Sequence, residues 1–187
     1  MPKSHLSLRG QLLLDGGKLR GSAFHRSVVL ICQHDPQGAF GLVLNQPTEK
    51  KLREVIDADL PERLEDHPLF GGGPVQPSAM SFLHSDLFLP GANVIENLNL
   101  GHDLEELVAL GKSWSASQQL RVFAGYAGWA PGQLDDEMRR ESWITHPATI
   151  DLVFHAPSED LWPFILRQKG DWQSRLLAGA PEDLSWN

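Results

Sequence analysis

Two glycine-rich stretches carry the residue types best suited to chemistry. GYAGWAPGQLDDE at 125–137 sets Gly125, Gly128 and Gly132 among Tyr126, Trp129 and Pro131. Glycine admits close backbone approach and positive φ, while the aromatic rings offer large amphipathic faces to a partner or ligand. Pro131-Gly132 signals a turn. The helix expected after it opens with Gln133 and then Asp135, Asp136 and Glu137. A helix N-terminus after a glycine turn can hold an anion, but these carboxylates compete for its positive end. The stretch reads first as a strand-to-helix corner, and second as a partner surface centred on Trp129. GGGP at 71–74 could form a nest of consecutive N–H groups around an anion. It has neither the Lys-Ser/Thr of a P-loop nor the G-x-G-x-x-G spacing before a helix. Tight strand-end geometry at Gly72, Gly73 and Pro74 is the simpler reading.

The remaining chemical candidates stand alone. None of the eight histidines (His5, His25, His34, His67, His84, His102, His146, His155) falls in a metal-ligand spacing such as H-x-x-x-H or H-E-x-x-H. No metal set or cofactor is therefore expected. His84-Ser85-Asp86 is a bare H-x-D, a metal or acid/base element at most and more simply a hydrogen-bonded turn histidine. No G-x-S-x-G elbow and no S-x-x-K is present, so serine acyl chemistry lacks its local signatures. Cys32 lies in VVLICQ among apolar neighbours and reads as a buried, inert thiol. Asn45, at the end of a strand and before Gln46-Pro47, should bond backbone, although an exposed amide there could contact a ligand.

These residues must be positioned by an irregular series of elements. Ser27–Gln33 is a β-branched apolar run and Phe40–Leu44 its return, joined by the turn HDPQGA. Thr48 is suited to cap a helix near Glu49–Ile56, followed by an acidic connection over 57–68. Met80–His84 and Ala92–Ile95 are further strands. Asp103 with Glu106 starts a helix through about Ser113. A strand over Leu120–Tyr126 and a helix over Leu134–Glu141 frame the second motif. Thr149–Phe154 (TIDLVF) reads as a strand, Ser158 as the cap of a helix over Trp162–Arg167, and Asp171–Ala178 as a last helix ended by Gly179. Pro163 is tolerated only in a first turn. Strands punctuated by short helices make an α+β fold, not a regular βαβ alternation.

The bulk numbers bound the rest. With 187 residues, no repeat and no linker, the chain should form one domain over 1–187. At 41% hydrophobic and 21% charged residues it has the composition of an ordinary globular protein. Sixteen basic against 24 acidic residues give a formal charge of −8. That balance opposes general affinity for nucleic acid or an anionic membrane. One cysteine permits no intrachain disulfide, and the short apolar run Leu12–Leu14 is no signal peptide, so a cytoplasmic protein is expected.

Several long strings, in order, resemble the YqgE/AlgH family of bacterial proteins. They are GQLLL at 10–14, FHRSVVLICQHDPQGAFGLVLNQP at 24–47, FGGGPV at 70–75, FLH at 82–84 and GYAGWAPGQLDDE at 125–137. Trp143, the LVF at 152–154 and Leu161-Trp162 extend the likeness over nearly the whole chain. The chain departs from the usual pattern at Asp15-Gly16-Gly17, at Gly21-Ser22-Ala23-Phe24, at Ala130 and at Pro163. The resemblance implies a single α+β domain whose mixed, bifurcated, partly barrel-like β-sheet is flanked by short helices. It brings a label of transcriptional regulator but no catalytic residues. Asn45, Gly72, Gly73, Pro74, His84, Gly128, Trp129 and Gln133 fall inside its motifs and are the binding candidates.

The first functional expectation is a non-catalytic regulatory or interaction module that binds a protein or small molecule near Trp129. The alternative is an enzyme whose cleft forms where GGGPV, His84 and Gln133 meet, which requires those segments to converge. A regulator acting directly on DNA comes third, opposed by the charge and by the lack of a helix-turn-helix.

Overall fold

The computed structural model describes residues 6–85, 92–113, 115 and 117–181. His5 and Asp86, the latter part of the H-x-D reading, lie outside the described residues. Strands β1 (Gln11–Asp15), β2 (Val28–Asp35), β3 (Gly38–Val43) and β9 (Leu120–Trp129) form the centre of the sheet. They are buried on both faces, because residues i and i+2 share a face. Leu12 and Leu14 of β1 enter the largest core with Val28, Leu30 and Cys32. Leu13, Val29 and Ile31 enter a second core on the opposite face. Apolar residues are therefore consecutive rather than alternating here. The order continues from β9 to β6 (Val75–His84), β8 (Leu98–Gly101) and β7 (Ala92–Ile95), while β10 (Trp143–Pro147) flanks β1.

The sheet curls into a half-barrel and forks. Ala39–Gly41 of β3 pairs antiparallel with Ala127–Trp129, the second half of β9. Against the first half, Val122–Ala124, runs β5 (Pro68–Gly71), in parallel. Beyond β5 lies β4 (Pro47–Lys51). One strand thus serves two arms. Arg121 ties them together: it lies buried over the Phe70 ring at 4.5 Å and donates from Nη1 to the Leu44 carbonyl at 3.0 Å. Burial lowers its pKa to about 10.

Short helices cover the faces. α4 (Ile150–Phe154), α5 (Leu161–Lys169) and α6 (Trp172–Gly179) close the largest core with Val153, Trp162 and Ile165. α1 (Glu62–Glu65) and α2 (Leu104–Lys112) cover a smaller core on the β4–β5 arm, built on Leu52, Leu69, Phe82 and Val122. α3 (Gln133–Arg139) covers the second core, that of Leu13, Val29 and Ile31. The hairpin over 27–44, the α2 helix capped by Asp103 and the single mixed α+β domain agree with the sequence reading.

Four elements differ from it. The helix placed near Glu49–Ile56 is strand β4 followed by a 3-10 turn over Leu52–Glu54. Thr48 spends its hydroxyl on the Leu69 carbonyl (2.7 Å) instead of a cap, and Glu49 takes φ of 61°, so pairing with β5 overrides helix propensity. TIDLVF is helix α4, not a strand: the Thr149 hydroxyl accepts the Leu152 N–H at 3.2 Å. The edge strand lies just before it, at Trp143–Pro147. The α5 N-cap is Asp160, not Ser158. The β9 strand runs on through the glycine-aromatic motif to Trp129.

Candidate functional site

The GGGP motif sits in the crotch of the fork. Gly71 N–H donates to the Gln46 carbonyl (2.8 Å) and Gly72 N–H to that of Ala124 (2.9 Å). The Gly72 carbonyl accepts from Val43 at 2.8 Å, so one residue joins β3 to β9. A Cβ on Gly72 would stand 2.3 Å from the Gly125 oxygen, and one on Gly73 2.3 Å from the Tyr126 backbone. Glycine is required because three backbones meet with no room for side chains. Two of the N–H groups an anion nest would need are already bonded, which removes the nest reading. Pro74 follows, exposed, at the turn into β6.

The second motif is a corner. Trp129 is 6% exposed, stacked on Phe24 (6.2 Å between ring centres) and edge-on to Trp143 (6.3 Å). Both indole N–H groups donate to one oxygen of Glu137, at 2.9 Å from Trp129 and 2.8 Å from Trp143. Gln133 accepts the Ala130 N–H at 3.0 Å and donates to the other Glu137 oxygen at 3.1 Å. A partner surface centred on an exposed Trp129 is therefore corrected: the ring anchors the second core. Gly128 is exposed, and a Cβ there would meet the Tyr126 ring at 3.2 Å. Glu137 is the organising residue that the sequence showed only as a helix-opening acid.

Asn45 is also committed to backbone, accepting from Val28 N–H (2.8 Å) and donating to the Arg26 carbonyl (2.9 Å). His84 is wholly buried on β6, level with Leu120 at the start of β9. Trp129 ends the same strand nine residues on, and Gln133 follows beyond it. His84 thus lies beside the start of β9 and Gln133 beyond its end, and neither lines the concavity on the β4–β5 arm. One nucleophile–base pair was not legible in the sequence: Ser81 Oγ lies 3.0 Å from His102 Nδ1. Ser81 is 2% exposed, and attack on a substrate needs an open approach that it lacks. Cys32 is buried, and burial pushes its thiol pKa far up.

A mostly apolar concavity lies on the β4–β5 arm, just beyond GGGP. It encloses about 450 Å³. Leu69, Gly71, Gly73, Phe123 and Ala124 line its floor. One wall is Val55 and Ile56; the other is Pro77, Ala79 and Met80, where β6 bulges away from β9 between Val75 and Met80. Thr48, Ser78 and Lys50 complete the lining. The small side chains of Ala79 and Ala124 contribute to the lining where the small core ends. Of the residues singled out from the sequence, Gly73 alone lines this cleft.

Residues 12–173 match the family model described as AlgH-like. A UPF0301 protein of Chlorobium luteolum is 39% identical over 176 residues, covering 92% of this chain and 91% of its own. Another, from Stenotrophomonas maltophilia, is 37% identical over 172 residues, covering 87% and 89%. The solution structure of the AlgH protein from Pseudomonas aeruginosa superposes with a TM-score of 0.75 over 97% of this chain and 99% of its own, at 28% identity. A crystal structure of a Corynebacterium diphtheriae protein superposes with a TM-score of 0.73 over 95% and 94%, at 24% identity, a likeness of fold alone.

Proposed function

This chain belongs to the AlgH-like family, and on that premise we propose that it is a cytoplasmic, non-catalytic binding module whose ligand is a small molecule held in the cleft beside GGGP. The observation that carries the reading is the hollow itself. Mostly apolar residues, among them Ile56, Leu69, Met80 and Phe123, line a hollow of about 450 Å³. That is near the lower end of the range of small-molecule sites, about 300–1,000 Å³, and too small for an element of a folded partner. The glycine and aromatic motifs support it indirectly, by holding the fork open, and the ligand contacts fall on Ile56, Met80 and Ala79. A regulatory role fits a site that binds without an assembled nucleophile, base and orienter.

Native mass spectrometry of the protein, gently purified from its own host, tests this. The wild type should carry an extra mass of metabolite size above the 20.8 kDa chain. Ala79→Trp, which fills the cleft, should lose it. A bare chain in both, or an unchanged adduct in the variant, contradicts the reading.

A further inference from the structure

Resting on that reading, we infer that the ligand is an apolar body carrying one anionic group, with Lys50 as its charge contact. Every other polar lining group is small or already engaged. The Thr48 hydroxyl donates to Leu69, and Ser78 is exposed. Lys50 is the one charged residue of the lining. Its neighbours Lys51 and Arg53 both close on Asp66 Oδ1, at 2.8 and 3.0 Å. Of the nearest carboxylates in sequence, Glu49 is exposed and Glu54 turns back to accept the Lys51 N–H at 2.8 Å. Lys50 has no ion-pair partner among the described residues.

The molecule as a whole is acidic, with a formal charge of −8, so its overall field repels anions. A lone, uncommitted ammonium group at the rim of an apolar hollow is the local reverse of that field. An amphiphile whose body fills the cleft would bring its head group to this rim. There a charge-assisted contact adds to the transfer of apolar surface out of water. A neutral apolar ligand would leave Lys50 idle, and a cationic one would be repelled by it.

Two fluorescent probes on one scaffold separate body from head: anilinonaphthalene sulfonate, which is anionic, and N-phenylnaphthylamine, which lacks the sulfonate. Each is titrated into the full chain. Lys50→Gln should weaken sulfonate binding by about three- to fivefold, the scale of an exposed ion pair, and change the neutral probe less than about twofold. Ala79→Trp should weaken both by tenfold or more. Should that variant lose its folded circular-dichroism signal, Val55→Glu at the exposed mouth replaces it (Val55 is 44% exposed) and should weaken the sulfonate selectively. Equal or absent effects of Lys50→Gln on the two probes overturn the anionic head while leaving the cleft standing. Failure of folded Ala79→Trp to weaken either probe removes the cleft, and this inference with it. If that variant is unfolded, no selective loss with Val55→Glu overturns the inference.

Discussion

Trp129 shows how a conspicuous residue can be an anchor. Its ring is stacked on Phe24 and its N–H is held by Glu137, which also holds Trp143. Trp129→Ala removes a large buried ring, and the cost should be about 3–5 kcal/mol in denaturant unfolding; an unchanged midpoint would return the residue to the surface. Cys32 should resist a thiol reagent in the native protein and react on unfolding, because burial keeps the thiol protonated. His67 carries a pH dependence. Burial, with the Arg121 charge adding to it, holds its pKa below the ordinary 6.5. The unfolded chain therefore takes the proton first as pH falls. The stability contributed by the neutral ring is complete above that value and is lost as pH drops through and below it. His67→Gln should flatten the stability profile between about pH 7 and 5, read from unfolding midpoints. A profile as steep as the wild type's would assign the loss to other groups.

The fork is the element on which the fold turns, and its glycines were visible in the sequence while its geometry was not. Gly72 and Gly125 come together because a parallel strand and an antiparallel one share β9, a pairing between residues some fifty positions apart that no local pattern encodes. Gly72→Ala would push a methyl group into the Gly125 carbonyl and should cost more than about 3 kcal/mol or abolish folding. Gly179→Ala, with nothing within 4 Å of the added carbon, should instead stabilise by about 0.5–1 kcal/mol; equal effects would deny the fork its special packing. Elements with strong local signals were legible: the 27–44 hairpin from its β-branched runs and turn, and α2 from its Asp103 cap. TIDLVF was ambiguous, since a short apolar run fits either period and only the Thr149 cap decides it. Where a helix was expected at 49–56, strand β4 is set by its neighbour β5, against the preference of its own residues.

For the molecule as a whole, membership of the AlgH-like family and the half-barrel fold were carried by long ordered strings. The candidate site was not legible in the same way. Its floor and walls come from segments around residues 50, 56, 70, 79 and 124, each unremarkable alone, and only the folded chain brings them together. The motifs drew attention to Trp129 and Gln133, whose hydrogen bonds are spent inside the corner. An NMR titration of the isotope-labelled protein with N-phenylnaphthylamine would decide between the two places. Shift changes confined to residues 48–56, 69–73, 77–80 and 123–124 are the predicted result. Changes concentrated on 126–137, or scattered over the surface with no saturable site, would contradict a binding cleft at the fork.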